Sequence, residues 1–378
     1  MALAVEQHWP VQSPLEGLVI TRYGHGLLTN RLKVIEAGHP VPDEAGWAAA
    51  KEILRAVRTL APDDLLLVLV SGGGSALLSL PAEGISIQDL KATTRELLRC
   101  GAPIQDVNTV RKHLSAIQGG RLAAACRASV LALIVSDVTG DDPSHIASGP
   151  CAPDPTTYSD ALDILDRQGV DAPQAVRAHL ERGATGAIAD TPKPGERVFG
   201  RVENRVIATA QASLQAAAQH FRDNGVAAAV LGDTVTGEAS EVAKALGAIA
   251  RQVCAHNEPW KRPVALVSGG ECTVTLSEGA AGRGGRCSEF LLSLAIGLAG
   301  LPNVHAIACD TDGIDGTEDN AGAVLAPDTL ARAAALRISA KNLLAGHDSY
   351  GFFSALSDLV VTGPTRTNVN DYRAILIT

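Results

Sequence analysis

The sequence predicts an α/β protein of two domains, the first built on a largely parallel sheet and the second on a mixed one. Three observations carry that expectation. A length of 378 residues suggests two domains at roughly 100–200 residues each. Short apolar runs of strand length alternate with stretches of helical periodicity. The alternation lapses once, over a proline-punctuated stretch from 152 to about 197, and then restarts.

The elements follow in order. Segments 18–21 and 32–35 read as strands. Asp43, just after Pro42, caps a helix running to about residue 60. The apolar run 65–70 is a buried strand that ends in a glycine cluster. Ser86 with Asp89 three residues on resembles a capping box, opening a helix to about residue 99. One helix is expected over 106–126, with a weak point at Gly119 and Gly120, before a strand at 130–135. Pro153, Pro155, Pro173, Pro192 and Pro194 then separate short helical pieces, ending in a linker near 191–197. Strands are expected again at 206–209, 227–231, 264–267, 272–275, 304–308, 359–362 and 374–377, with helices from about 212, 237, 288 and 327. The close pair of strands flanking Gly269 and Gly270 looks antiparallel, which is why the second sheet is expected to be mixed.

Composition narrows the function. Hydrophobic residues make up 46%, enough for ordinary cores, but aromatics are only 3%, so those cores rest on Leu, Val, Ile and Ala. A net charge of -9 speaks against a broad nucleic-acid surface and leaves room for a local anion site. Seven scattered cysteines without a C-x-x-C suit a reduced compartment better than a disulfide framework or a zinc site. No apolar run approaches the ~18–20 residues that span a bilayer, and no basic-then-apolar leader opens the sequence, so the cytoplasm is the expected location.

The unusual residues gather in loops that follow strands, where open α/β sheets bind ligands. Ser71, Gly72, Gly73, Gly74 and Ser75 directly follow the strand at 65–70; such a loop bends freely and turns N–H groups toward a phosphate or carboxylate. The plain alternative is a tight strand-to-helix turn. In the next helix Val107, Val110, Leu114 and Ile117 form an apolar stripe beside a polar face of Asn108, Arg111, Lys112 and Ser115. That face suits an anionic ligand, although spacing alone favours a solvated amphipathic helix. Asp137, Asp141 and Asp142 crowd the loop after 130–135, where they either hold Mg²⁺ or shape the turn. Gly282, Arg283, Gly284, Gly285, Arg286 and Glu289 lead into a helix, and an Arg at a helix N-terminus suits a phosphoryl group. Asp310, Asp312 and Asp315 follow the strand at 304–308; Ile314 breaks the EF-hand template, leaving a Mg²⁺, hydroxyl or simple turn role. The last loop, 362–371, offers hydroxyl and amide groups, Thr365 and Asn368 among them. No Gly-Lys dipeptide occurs, so there is no Walker A loop, and Leu77 breaks the dinucleotide fingerprint. Of ten dispersed histidines, His25 and His39 stand out because they lie in glycine-rich turns.

Taken in order, these segments resemble type 2 glycerate kinase. The match runs from Tyr23-Gly24-His25 and Glu36 to Asp43, through the glycine loop, Asn108 to Ser115, Ser136 to Pro150, Ser268 to Glu271, Gly282 to Glu289 and Asp310 to Gly316, to Thr362 to Asp371. Each segment is weak alone; the ordered set covers essentially the whole chain. The C-terminal part resembles the MOFRL domain of that family. The resemblance implies a Rossmann-like glycerate kinase domain over 1–195, a MOFRL-like α/β domain over 200–378, and a cleft between them. It implies ATP-dependent phosphorylation of D-glycerate to 2-phosphoglycerate with Mg²⁺. Arg286, Lys112 and Asp137 are then the catalytic candidates. Ser71, Gly72, Gly73, Gly74, Ser75, Asn108, Arg111, Gly284, Gly285, Glu289, Thr365 and Asn368 are candidates for substrate or phosphate binding, and Asp141 and Asp312 for the metal. On this reading Arg286→Ala lowers kcat far more than stability. Expected partners are glycerate and ATP, with no nucleic acid and no membrane; a homodimer is left open.

Three departures from the family pattern qualify the resemblance. The family begins with a further helix and a strand leading into a Gly-x-Gly-Lys-Ala segment, whose lysine is its other catalytic candidate. Met1 aligns just after that lysine, and a misassigned start accounts for this better than a truncated form. Cys287 and Ser288 stand where the family usually has Asn-Gln, and Arg366 replaces a small residue. Two rival readings are a nicotinamide-dependent hydroxypyruvate reductase, which the broken fingerprint opposes, and an impaired homologue that only binds ligand.

Overall fold

A computed structural model describes residues 1–276 and 282–378. The chain divides into two compact units, Met1–Ile207 and Ala208–Thr378.

The first unit runs α1 (Ala2–His8), β1 (Gly17–Arg22), β2 (Leu32–Ala37), α2 (Glu44–Thr59), β3 (Leu65–Val70), α3 (Gly74–Leu77), α4 (Ile87–Arg99), α5 (Ile104–His113), α6 (Arg121–Ala125), β4 (Ser129–Val135), α7 (Tyr158–Arg167), α8 (Gln174–Ala184) and β5 (Val202–Ala208). The predicted caps are present. Asp43 accepts the Gly46 N–H at the start of α2, and Ser86 and Asp89 form a reciprocal capping box on α4. β1 and β2 form a parallel pair, and β3, β4 and β5 make a separate sheet in that order. β3 and β4 are parallel and end together, with Val70 opposite Ile134, so the loops after them leave the sheet side by side.

The helix expected over 106–126 is two helices. α5 stops at His113 and α6 starts at Arg121. Between them the Ser115 hydroxyl accepts the N–H groups of Ile117 and Gln118, while the Gly119 and Gly120 N–H groups donate to the carbonyls of Ser148 (2.9 Å) and Gly149 (2.7 Å). Donors that would have continued the helix are spent on a distant loop. The predicted apolar stripe of α5 is buried as expected, but so are Asn108, Lys112 and Ser115 on its polar side, so this is not a solvated face. The reason is the proline-punctuated stretch: α7 and α8 pack on α4 and α5 through Leu97, Val107, Val110, Ile164, Leu165 and Leu180.

The second unit runs α9 (Ala210–Asp223), β6 (Ala227–Gly232), β7 (Gly237–Glu238), α10 (Ala239–His256), β8 (Val264–Ser268), β9 (Cys272–Thr273), α11 (Arg286–Leu298), β10 (Val304–Asp310), β11 (Gly322–Leu325), α12 (Thr329–Ala335), α13 (Ala340–Ala345), α14 (Ser349–Leu356), β12 (Leu359–Val360) and β13 (Asp371–Ile377). Its six-stranded sheet has the order β12-β11-β10-β13-β8-β6. The sheet is mixed: β6 and β8 are parallel and every other pair is antiparallel. The predicted antiparallel partner of β8 is not its partner. β9 leaves the sheet and pairs with β7 in parallel. The divergence comes at Gly270, where φ is 97° and a Cβ would lie 2.5 Å from the Val235 backbone, a position open to glycine alone. α11 is buried along most of its length, from Cys287 to Ala295, and forms the centre of the larger apolar core.

Candidate functional site

In the first unit three predicted segments meet. Gly73 (φ 80°) passes so close to His39 that a Cβ would sit 2.9 Å from its Nε2, and one on Gly74 would sit 2.5 Å from the Ala147 Cβ. The loop after β3 therefore lies directly against the loop after β4. Hydroxyls join them: Ser75 Oγ and Ser148 Oγ are 2.8 Å apart, and Ser148 Oγ donates to Asn108 Oδ1 of α5 at 3.3 Å. Ala147, Ser148 and Gly149 all have left-handed backbones, with φ of 51°, 57° and 58°. A non-glycine residue held there costs of order 1–3 kcal/mol, and the Gly119 and Gly120 N–H groups are what hold the loop in place.

Arg111 stands beside this junction. It is largely buried, and its guanidinium donates to Asn108 Oδ1 at 3.5 Å. Among the described residues no carboxylate pairs with it, and burial alone pulls its pKa down. An enclosed guanidinium without a counter-charge, amid hydroxyls and glycine-rich backbone, has the chemistry to receive an anion.

Lys112, the next residue, differs. Its side chain is 1% exposed and its Nζ lies 2.7 Å from Asp154 Oδ1. The same oxygen accepts from the Thr156 N–H and hydroxyl. Burial opposes the ionisation of Asp154, but the Lys112 charge and the Thr156 hydrogen bonds outweigh it and hold the carboxyl below its usual range. Next to this pair, His113 bridges Thr109 O and Asp190 Oδ1. Asp137 follows β4 by two residues and is half-buried, as is Asp141, whose φ is 54°.

The second unit arranges its arginine the opposite way. Arg286 opens α11 and meets three carboxylates: Asp371 Oδ1 on Nε (2.7 Å), Asp310 Oδ2 on NH2 (2.6 Å) and Glu271 Oε1 on NH1 (2.9 Å). Sheet register makes this cage, because Asp310 at the end of β10 lies directly opposite Asp371 at the start of β13. Asp371 Oδ2 also accepts from the fully buried Arg373. Burial pushes the Asp310 carboxyl up to about 7 in spite of the Arg286 charge.

The remaining candidates of this unit are occupied locally. Asp315 accepts the Cys287 and Ser288 N–H groups and the Ser288 hydroxyl, satisfying the first turn of α11. Gly285 is glycine because a Cβ would fall on that carboxylate. Gly284 precedes it with φ 153°, and Glu289 is buried with His347 Nδ1 at 2.9 Å. Cys287 is buried in the core, so the departure at that position adds no polar group beside Arg286. Asp312 Oδ1 accepts the Ile314 N–H, Thr365 is tied to Thr311 O and Asp312 O, and Asn368 Oδ1 accepts the Asn370 N–H. Arg366 is exposed with φ 61°. Asp141 and Asp312 belong to different units, and among the described residues no three His, Cys, Asp or Glu side chains are grouped to hold a metal.

Sequence reasoning thus assembled the first unit's junction from Ser75, Asn108 and Arg111, with Ser71 and Gly72 leading into it. It missed Asp154 as the partner of Lys112, and Glu271 and Asp371 as partners of Arg286. The signal for Asp371 was available, since it sits at the foot of the last predicted strand.

Known proteins resemble this chain along its whole length. A family described as a domain of unknown function (DUF4147) matches residues 1–181, and the MOFRL family matches residues 264–371. A glycerate 2-kinase from Pyrococcus horikoshii is 40% identical over 380 residues, covering 100% of this chain and 84% of that protein. This chain belongs to the glycerate 2-kinase family. Within that family, a crystal structure of glycerate kinase from Thermotoga maritima superposes with a TM-score of 0.87 at 37% identity, covering 96% of this chain and 85% of the other. An Agrobacterium vitis relative, 50% identical over 378 residues (100% of this chain, 84% of the relative), carries the name hydroxypyruvate reductase only provisionally.

Proposed function

We propose that this glycerate 2-kinase family member transfers the terminal phosphoryl group of ATP to the 2-hydroxyl of D-glycerate, forming 2-phosphoglycerate and ADP. The observation that carries the reading is Arg111: a largely buried guanidinium with no carboxylate partner among the described residues, set beside the glycine loop, Ser75, Asn108 and Ser148. Phosphoryl transfer asks a protein mainly for positioning and for positive charge around the transferring oxygens. In this reading the glycine loop, Asn108 and Arg111 hold anionic groups of the substrates, and Arg286 stabilises the transferring phosphoryl group. For Arg286 to do so one carboxylate must give way, and Glu271, 53% exposed, is the one that can. Lys112, spent on Asp154, acts as a positioning residue that fixes the α5 face carrying Asn108 and Arg111. Asp137 is left as a candidate for the proton of the acceptor hydroxyl.

Among the described residues no group of carboxylates forms a protein-only Mg²⁺ cage, and we assign the ion to the substrate side, entering as the ATP complex. We read the first unit as Rossmann-like, the functional division as falling between 195 and 200, and the protein as cytoplasmic. Free cysteines at all seven positions support that location.

The test is a coupled assay of ADP release with D-glycerate, run beside NADH oxidation with hydroxypyruvate in the absence of ATP. ADP release that depends on glycerate, without NADH oxidation, is expected. NADH oxidation without ATP would transfer the protein to the reductase reading that its Agrobacterium relative's name carries.

A further inference from the structure

Two histidines stood out in the sequence for their glycine-rich turns, and the structure uses them differently. His25 is engaged at both ring nitrogens: Nε2 accepts the Arg22 Nε–H at 2.9 Å, and Nδ1 donates to Tyr23 O at 3.0 Å. His39 is exposed, and among the described residues neither of its ring nitrogens has a hydrogen-bond partner. Its loop is nonetheless firmly braced. Asp43 accepts the Gly38 and Gly46 N–H groups, each at 2.9 Å, and the Tyr23 hydroxyl at 2.7 Å.

The ring lies against the glycine loop. A Cβ on Gly73 would stand 2.9 Å from Nε2 and 3.0 Å from Cδ2, so the Nε2 edge faces the loop backbone. The Gly72 and Gly73 N–H groups likewise have no partner among the described residues. An imidazole and two backbone donors, all without partners and all in one place, form a set that an anionic oxygen can satisfy. The charges that bear on His39 are both positive: Arg22 from the end of β1 and Arg111 from α5. Together with the surrounding protein they hold its pKa below the ordinary value, the surrounding protein being the larger cause. The nearby acids are committed elsewhere, Asp43 as described and Glu36 to the Gly26 N–H, and the glycine loop itself carries no titratable group. An arriving anion reverses this field. It offsets the two arginines and favours a protonated ring, which then supplies one more charged donor.

We propose that His39 is a further binding residue of this junction: it takes up a proton as an anionic ligand arrives and donates its Nε2–H to the phosphate or carboxylate that the Gly72 and Gly73 N–H groups receive under the charge of Arg111. The proton comes from solvent and returns to it when the ligand leaves. The kinase reading enters only through the identity of the ligand, Mg·ATP or D-glycerate.

Calorimetric titration of the wild type, His39→Ala and His39→Gln tests this, with D-glycerate, Mg·ATP and inorganic phosphate as separate ligands at about pH 6 and 8. For at least one ligand, His39→Ala is expected to raise Kd roughly tenfold near the lower pH. His39→Gln keeps a donor but takes up no proton, so it should approach the wild type at the higher pH and fall behind it at the lower. The ligand that shows this pattern identifies the anion, a carboxylate if D-glycerate and a phosphate if Mg·ATP. Because His39 is exposed, urea midpoints of both variants should match the wild type. Equal Kd in all three forms, a His39→Gln variant that keeps the wild-type pH dependence, or no binding of any ligand to the wild type overturns the proposal. Phosphoryl transfer from ATP to D-glycerate, assayed on the same wild-type protein, judges the kinase reading separately. Transfer with binding indifferent to His39 removes the histidine alone, and His39-dependent phosphate binding without transfer removes the kinase reading alone.

Discussion

Arg111 and Arg286 both lie near glycine-rich loops that follow strands, and they are handled in opposite ways. Arg111 is largely enclosed beside hydroxyls and the Asn108 amide, with no carboxylate paired to it among the described residues. Arg286 is enclosed by three carboxylates, two of them nearly inaccessible to solvent at 1% and 6% exposure. An arginine without a counter-charge is a site that an incoming anion completes. An arginine surrounded by acids is first a structural hub, and it meets a ligand only by exchanging a partner. The same residue type in a similar sequence setting therefore meets opposite electrostatic surroundings.

The sharpest way to break that contrast is to remove each arginine. Arg286→Ala is expected to lower kcat by about 10³–10⁵-fold if it faces the transferring phosphoryl group. It should also cost about 3–5 kcal/mol of stability, because Asp310 and Asp371 lose a buried partner. From sequence, the stability loss looked minor; the carboxylate cage changes that expectation. Arg111→Met should abolish most turnover yet leave stability within about 1 kcal/mol, since it strands no buried acid. Urea unfolding beside turnover measures both, and equal destabilisation of the two variants would erase the distinction.

Asp154→Ala sharpens the comparison from the other side by turning the paired Lys112 into an unpaired buried cation. A loss of about 3–5 kcal/mol is expected, most of it recovered in the double variant Lys112→Met, Asp154→Leu. A folded double variant that retains turnover keeps Lys112 as a strut. Folded but inactive protein would return Lys112 to the reaction.

The smallest effect is on pH dependence, and it has opposite signs in the two units. In the first unit, Asp190 is held far below its ordinary value; burial opposes this, and the His113 hydrogen bond and Thr191 N–H overcome it. Asp154 is lowered too. Their contribution is present above the unfolded value of 3.8 and is lost as pH falls toward the folded value. In the second unit, burial raises Asp310 from 3.8 to about 7, and raises Asp315 and Glu289. The Asp310 contribution is complete below 3.8 and disappears as pH rises through about 7. Hydrogen exchange followed by mass spectrometry on an acid series should show the first unit loosening before the second. The reverse order would contradict the assignment of the two sets of carboxylates.

Most strands were legible because apolar runs such as Leu65–Val70 and Val264–Ser268 have no other use at that length, although only the second is buried throughout; the first is buried at Val70 alone, with Leu65 exposed. The convergence of the loops after β3 and β4 was legible in kind, since both follow parallel strands. What could not be read was the fate of Lys112. A Lys-Arg pair on an amphipathic helix looks the same whether solvated or buried. The deciding partner, Asp154, lies 42 residues further on between two prolines, outside any periodic pattern. The Arg286 cage is similarly hidden, for Asp310 and Asp371 lie 24 and 85 residues away and meet it only through strand register. The glycine pair at 119–120 showed that a helix would weaken there, but not that its amides would anchor another loop.

β13 follows every other strand of its sheet in chain order, yet it lies in the interior between β10 and β8. As the chain leaves a ribosome, β8 and β10 are finished while the strand that must separate them is still unmade. Each then presents an unsatisfied edge, the condition that invites mispairing with neighbouring chains. The same late strand brings Asp371 and Arg373, so the Arg286 cage closes in the same event that completes the sheet. Translation thus gives the second unit no partially working form: its charge network and its central hydrogen bonds arrive together, once β13 is free to insert.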